Sequence, residues 1–175
     1  MALYRSKALG RDRVKPFVPR LREVARRKSE LLHAVETGLD RGQFRLHYQP
    51  LVPSDGRGRV SLEGLLRWNH PAQGLITPGA FLADLNDPGL LAPIGLFDAE
   101  QAYLDMQAMI GSGLPVERLA INVTNADFRS DAFLDRFFSL SRQTGVAPDR
   151  FCIEVTEGVF LGRDFQHLEG QLSLL

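Results

Sequence analysis

The pattern of hydrophobic and polar positions changes near Phe44. Upstream, apolar residues recur at helical spacing on a strongly charged background, which predicts a helix from about Arg20 to Arg41. Downstream, short apolar runs bounded by Gly, Pro, Asp and Ser are typical of strands. The predicted strands cover residues 44–52, 60–68, 119–123 and 151–155.

Helical patterns separate the later strands. The predicted helices are a short one after the Pro/Gly loop at 70–81, then about 90–110, about 131–144, and a final stretch to Leu175. Strands that alternate with helices through short connections favour a parallel α/β sheet with helical crossovers. Both a β/α barrel and a doubly wound sheet fit this pattern.

Charge is divided unevenly along the chain. Residues 1–28 hold 10 basic and 2 acidic side chains (+8), and the remainder holds 11 basic and 19 acidic ones (−8). A basic arm is one route to nucleic acid or acidic lipid. Aromatic residues are sparse in this arm, so its charges favour a solvated helix face, and we predict no nucleic-acid partner. Pro16 and Pro19 interrupt the arm, and the helix after them is typical of a connector between domains.

Composition favours a cytoplasmic protein. No window approaches the roughly 18 consecutive apolar residues of a membrane span, and the charged N-terminus lacks the apolar core of a secretory signal. The single cysteine, Cys152, lies in the apolar run FCIEV and has no partner for an intramolecular disulfide. We expect a reduced thiol packed inside a strand.

Three predicted strands carry an unexpected polar residue. A buried parallel strand is normally a nearly continuous apolar run, yet Glu63, Asn122 and Glu154 interrupt three of them. Side chains alternate along a strand, so Glu63 shares a face with Leu65 and Arg67. The polar residue of each of the other two strands lies opposite a bulky apolar face.

These three residues suggest a metal site. Catalytic groups in β/α barrels come from the carboxyl ends of different strands, and buried carboxylates need compensation. Oxygen ligands of this kind suit Mg²⁺ or Mn²⁺ rather than zinc. Arg67 has the planar donor geometry that suits a phosphate oxygen.

Structural interpretations compete for each residue taken alone. Glu63 and Arg67 would form a salt bridge if their strand were a solvent-facing edge. Asn122 would cap the following helix, and Glu154 would pair with a nearby Lys or Arg. Taken together at equivalent strand ends, the three residues favour the metal site.

The same residues resemble the EAL domain family of cyclic-di-GMP phosphodiesterases. The resemblance spans residues 44–175 and rests on Gln49-Pro50, on the run from Glu63 to Trp68 followed by His70-Pro71, on Asn122-Val123-Thr124, and on the run from Glu154 to Glu157. Two positions depart from the family pattern. Gly64 replaces the signature alanine, in a position facing away from Glu63, and Asn86 follows Leu85 where the family usually shows Ala-Glu.

The resemblance implies a partial TIM-like barrel that hydrolyses cyclic di-GMP to linear pGpG with Mg²⁺ or Mn²⁺. Its metal ligands would be Glu63, Asn122 and Glu154. Glu157 would order an active-site loop. Three residues would contact or lie near the substrate: Gln49, Leu65 and Arg67.

The opening residues, from Ala2 to Lys7 and from Gly10 to Val14, resemble the last helix and strand of a GGDEF diguanylate cyclase domain. This resemblance gives an organisation of GGDEF remnant (1–14), linker and connector helix (15–41) and N-terminal half of an EAL domain (42–175). The chain ends before the family's Asp-Asp-Phe-Gly strand, so we expect no meaningful phosphodiesterase activity from this polypeptide alone. The alternatives are a non-catalytic module that binds cyclic di-GMP, and a remnant that forms a homodimer through the connector helix.

Overall fold

A computed structural model describes residues 19–54, 59–82, 88–124, 126–127 and 131–155. The chain divides into two compact units, Met1–Ala34 and Val35–Leu175. The predicted GGDEF remnant and the final helical stretch lie outside the described residues.

Helices and strands alternate through most of the second unit. The helices are α1 (Pro19–Asp40), α2 (Pro78–Leu82), α3 (Pro88–Gly111) and α4 (Ala132–Thr144). The strands are β1 (Phe44–Leu51), β2 (Val60–His70), β3 (Gly74–Ile76), β4 (Val116–Val123) and β5 (Phe151–Val155), with a short 3₁₀ turn at Pro148–Arg150 before β5.

The five strands form one sheet of order β1-β2-β4-β5, in which β3 pairs with the end of β2. Strands β1 and β2 are antiparallel, whereas β2, β4 and β5 run parallel. The crossover from β2 to β4 contains α3, and the crossover from β4 to β5 contains α4. The predicted parallel α/β arrangement is therefore confirmed, and within the described chain the sheet is open rather than closed.

Two aromatic clusters hold the sheet to its helices. Phe44 is fully buried and stacks on Trp68 with ring centroids 5.0 Å apart. The second cluster joins α3, α4 and β5, where the Tyr103 ring lies 5.0 Å from Phe137 and 4.2 Å from Phe151. The core thus fills the face of the sheet that the helices cover, since aromatic side chains contribute the largest buried areas.

Two arginines on the surface of α1 form ion pairs with acids of the same helix. Arg26 bonds to Glu23 at 2.7 Å and to Glu30 at 2.5 Å, and Arg27 bonds to Glu23 at 3.0 Å. The guanidinium of Arg26 and then that of Arg27 lower the pKa of Glu23 to about 2. Pairs spaced three or four residues apart support an exposed helix, as the prediction of a solvated charged face requires.

No helix among the residues described is both long and apolar enough to cross a membrane.

Candidate functional site

Backbone pairing places the predicted site residues of four strands on one face of the sheet. Gln49 of β1 pairs with Glu63 of β2, which pairs in turn with Ala120 of β4. Asn122 of β4 lies directly opposite Glu154 of β5. Directly paired residues project to the same side, and side chains alternate along each strand. Gln49, Glu63, Asn122 and Glu154 therefore share one face, which we call the polar face.

Leu65 and Arg67 extend the polar face along β2. Both side chains are half-buried, whereas Gly64, Leu66 and Trp68 are buried on the opposite side. This alternation agrees with the sequence prediction for β2. The face covered by helices therefore forms the core, and the side chains of the polar face are the ones available to bind a ligand.

A bulge in β4 decides which way Asn122 projects. Val60 pairs with Val116, but Leu62 pairs with Leu119, so three steps along β4 oppose two along β2. The extra residue reverses the alternation of β4 relative to β2 beyond that point. Without it, Asn122 would project from the core side of the sheet.

The guanidinium of Arg150 secures this bulge. Its Nη2 donates a hydrogen bond to the carbonyl of Val116, at the residue where the register begins to shift. Arg150 lies immediately before β5. The start of β5 therefore stabilises the irregular start of β4, because a bulge leaves backbone groups without their ladder partners.

The charge of Glu63 acts on the carboxyl group of Glu154. Partial burial, followed by the negative charge of Glu63, raises the pKa of the Glu154 carboxyl. Neither acid forms an ion pair with a described Lys or Arg, so the proposed pairing of Glu154 with a cationic side chain has no support in this part of the chain. Two carboxylates that repel each other on one face are stabilised by a shared cation.

The Asn122 side chain is exposed, and a hydrogen bond from its amide nitrogen orients it. Its Nδ2 donates a long hydrogen bond of 3.5 Å to the carbonyl of Gly64. That contact leaves the amide oxygen of Asn122 for another partner. The alternative interpretation of Asn122 as a helix cap is wrong for α4, whose N-cap is Asp131.

Arg67 is not paired with Glu63. Its Nη1 donates to the carbonyl of Leu66 at 2.7 Å, and no ion pair joins it to Glu63. Strand β2 has β1 on one side and β3 and β4 on the other. The expectation of a salt bridge on an edge strand is therefore wrong, because β2 is an interior strand.

Gly64 faces away from Glu63, as predicted, and is buried on the core side of the sheet. A Cβ atom there would lie 3.3 Å from the carbonyl oxygen of Ala120 and 3.6 Å from Leu46. An alanine would need a small adjustment of these neighbours, and its methyl group would project away from Glu63.

Sequence reasoning missed other members of the polar face. His47 pairs with Leu65 and Arg45 pairs with Arg67, so both project beside the predicted site. The alternation of FRLHYQPL carried that signal. Cys152 pairs with Ala120 on the same face and is exposed, so the expectation of a packed thiol is wrong. It lies on the side of the sheet that the described helices do not cover.

The predicted oxygen donors of the polar face suit a hard divalent ion, although only three residues provide them. Glu63, Asn122 and Glu154 offer only oxygen ligands, which Mg²⁺ and Mn²⁺ prefer. No group of three or more His, Cys, Asp or Glu gathers within the described ranges. The predicted contributions of Glu157 and Asn86 lie outside those ranges.

Comparison with known proteins places this geometry in a family. The EAL domain family profile matches residues 30–173. The bifunctional diguanylate cyclase/cyclic di-GMP phosphodiesterase MucR of Pseudomonas aeruginosa is 32% identical over 156 residues, which are 89% of this chain and 23% of that protein. The cyclic di-GMP phosphodiesterase NbdA of the same organism is 28% identical over 162 residues, 92% of this chain and 21% of that protein. The chain thus spans less than a quarter of the length of either relative.

Solved structures give the same family. The MucR phosphodiesterase in complex with c-di-GMP superposes with a TM-score of 0.72 at 32% identity, over 83% of this chain and 60% of that one. The EAL enzyme Bd1971 in its cGMP-bound form superposes with a TM-score of 0.74 at 23% identity, over 89% of this chain and 44% of that one, which supports the fold alone. With a profile that covers most of its residues and a matching fold, this chain belongs to the EAL domain family.

Proposed function

We propose that the polar face forms part of a site that binds cyclic di-GMP and hydrolyses it to linear pGpG with Mg²⁺ or Mn²⁺. The observation that carries the proposal is the pairing of β2, β4 and β5, which sets two carboxylates and one amide on a single face. Relatives that bear the name cyclic di-GMP phosphodiesterase support the substrate. A solved relative described as a c-di-GMP complex supports the binding.

Glu63, Asn122 and Glu154 are the proposed ligands of the divalent ion. The repulsion that raises the pKa of Glu154 supports this assignment, because a cation would remove it. When bound, such an ion polarises the phosphodiester and lowers the pKa of a water molecule for in-line attack.

The remaining residues of the polar face would hold the dinucleotide. Arg67 lies on this face with a guanidinium whose Nη1 contacts only a neighbouring carbonyl, so its other donors suit a phosphate oxygen. Leu65 offers an apolar surface between Glu63 and Arg67, and Gln49 lies beside Glu63 on the neighbouring strand. Glu157 is proposed to order the loop that follows β5.

Three wider assignments belong to the same proposal. An upstream diguanylate cyclase domain of the GGDEF type is supported by the name of MucR, a bifunctional cyclase and phosphodiesterase. A cytoplasmic location stays a prediction. A homodimer formed through α1 stays a prediction.

The test is calorimetric titration of the 175-residue chain with cyclic di-GMP in Mg²⁺ or Mn²⁺, followed by chromatographic analysis for pGpG. We expect Glu63→Gln and Glu154→Gln each to weaken metal-dependent binding by at least about 10-fold, the lower end of what the loss of an outer-shell partner costs, because each removes a charged ligand. Binding without formation of pGpG is the expected result for this polypeptide alone, and formation of pGpG would contradict the expectation that it is inactive by itself.

Glu117→Gln is the matched control. Glu117 is an exposed acid on β4, on the far side of the bulge from Asn122. Its replacement should leave binding unchanged. Equal binding by the wild-type chain and both polar-face variants, or binding that persists in a chelator, would contradict the proposed site.

A further inference from the structure

Two carboxyl groups are buried beneath the end of β4. Asp127, just beyond the strand, is 3% exposed, and Asp98 of α3 is 9% exposed. They are the two buried charged residues in the part of the chain that the structure describes. Burying an unpaired carboxylate costs several kcal/mol, so the burial of both acids calls for a physical explanation.

One oxygen of Asp127 closes the turn that follows β4. Its Oδ2 accepts hydrogen bonds from the backbone N–H and from the hydroxyl of Thr124, both at 2.7 Å. The backbone N–H of Asp127 donates back to the carbonyl of Thr124 at 3.1 Å. Thr124 is two residues beyond Asn122, so Asp127 fixes the backbone next to a proposed ligand.

The other oxygen of Asp127 points at α3. An added Cβ on Gly95 would lie only 1.9 Å from Asp127 Oδ1. Asp98 follows Gly95 by three residues and therefore projects from the same side of the helix. Oδ1 of Asp98 and Oδ1 of Asp127 are both buried, and neither has a hydrogen-bond partner among the described residues.

We propose that Asp98 and Asp127 share one proton, and that the pair positions the turn behind Asn122. Asp98 holds the proton, and Asp127 keeps the negative charge that binds Thr124. Two facing carboxyl groups cannot both ionise at low cost in a buried site. The step that links the turn to ligand binding rests on the proposed function, whereas the proton sharing does not.

The electrostatic surroundings agree with this assignment. Burial, followed by the charge of Asp127, raises the pKa of Asp98 to about 8. Burial also raises the pKa of Asp127, whereas the hydrogen bonds from Thr124 lower it. Asp98 is therefore the member that stays protonated near neutral pH.

Among the residues that the structure describes, the groups packed around Asp98 supply no compensating cation. From β1, Tyr48 lies within electrostatic range of Asp98, and its hydroxyl donates to Asp105 Oδ2 at 2.5 Å. From α4, Arg136 is bound to Glu100 at 2.9 Å near the surface. With these described neighbours neutral, acidic or already paired, a proton is the simplest means of neutralising the pair.

The first test is the pH dependence of thermal unfolding, measured for the wild-type chain and for Asp98→Asn. When an acid has a higher pKa in the folded state than in the unfolded state, the fold loses stability as the pH rises between the two pKa values. For Asp98 these are about 4 in the unfolded state and about 8 in the folded state, and above pH 8 the loss does not grow further. The wild-type Tm should therefore fall relative to the variant across that range, by roughly 5 °C or more in total. Exposed Asp40, replaced by Asn, is the control and should follow the wild-type curve.

Carbon NMR of the Asp carboxyl groups gives an independent measurement. One of the two groups should titrate near pH 8 and lose that transition in Asp98→Asn. Titration of both groups below pH 5, or a wild-type Tm parallel to that of Asp98→Asn, would overturn the shared proton. The shared proton would also be overturned if Mg²⁺ at pH 8.5 raised the Tm of the wild-type chain but not that of Asp98→Asn. Such a result would identify a cation between the two carboxylates.

The positioning role has its own readout. Between pH 7 and pH 9 the affinity of the wild-type chain for cyclic di-GMP should fall about threefold or more, as the competent turn becomes less populated. Asp98→Asn should remove that pH dependence, and equal pH profiles would overturn the positioning role. A chain that binds no cyclic di-GMP at any pH would refute the proposed function, while the unfolding and NMR results would still decide the shared proton.

Discussion

Replacing Phe44 with alanine is expected to lower the free energy of unfolding by about 3–5 kcal/mol, the usual cost of removing a buried aromatic ring. Phe44 is 0% exposed. Its ring stacks on Trp68 at 5.0 Å and meets the edges of Phe81 and Phe97, both at 6.1 Å. The substitution would leave a cavity that joins β1, β2 and two helices. Urea or guanidinium unfolding followed by tryptophan fluorescence would measure the loss.

Val52→Ala is the matched control for this prediction. Val52 follows β1 and is 65% exposed. Its truncation should change the unfolding free energy by no more than about 0.5 kcal/mol. A Phe44→Ala variant that lost less than about 1 kcal/mol would show that this cluster does not hold the sheet to its helices.

Replacing Gly95 with alanine is expected to destabilise the chain by about 3 kcal/mol. In an ordinary helix interior this change gains up to about 1 kcal/mol, but here the new Cβ would lie 1.9 Å from Asp127 Oδ1 and 2.6 Å from its carboxyl carbon. Asp127 cannot move aside without breaking its two hydrogen bonds from Thr124. Overpacking and the loss of these bonds each cost about 1–3 kcal/mol. Denaturant titration would give the value.

Gly111→Ala is the control in the same helix. No atom lies within 4 Å of the Cβ position at Gly111, so this variant should be neutral or slightly more stable. A double-mutant cycle sharpens the test. In an Asp127→Ala background, Gly95→Ala should lose most of its cost, because the obstructing carboxyl group is gone. Additive effects of the two substitutions would exclude the steric conflict.

The sequence predicted most elements because their periodicity is strong. The helix before Phe44, the strand FCIEV and the helix at about 131–144 agree with the structure. The strand Gly74–Ile76 was missed inside a segment predicted as loop. Its three residues are ordered by pairing with Trp68–His70 rather than by any pattern of their own. Local propensity carries little information about so short a strand.

Buried polar residues were the least predictable part of the candidate site. Asp98 and Asp127 sit among apolar neighbours, and nothing in their local spacing indicates that they meet. Whether their side chains lie close together depends on the packing of α3 against the end of β4. The prediction for Cys152 was wrong in the opposite direction. An apolar run suggested burial, but the residue is exposed, on the face that the described helices leave open.

The sequence by itself determined the order of helices and strands, the alternation within each strand and the residues able to bind a cation or a phosphate. These follow from the periods of 3.6 and 2 and from side-chain chemistry. Only the tertiary structure decided that Asn122 and Glu154 project to the same side as Glu63. That outcome depends on one extra residue in β4, opposite Val60–Leu62. A shift of a single residue reverses every later side chain of a strand, and pairing between distant segments alone sets it.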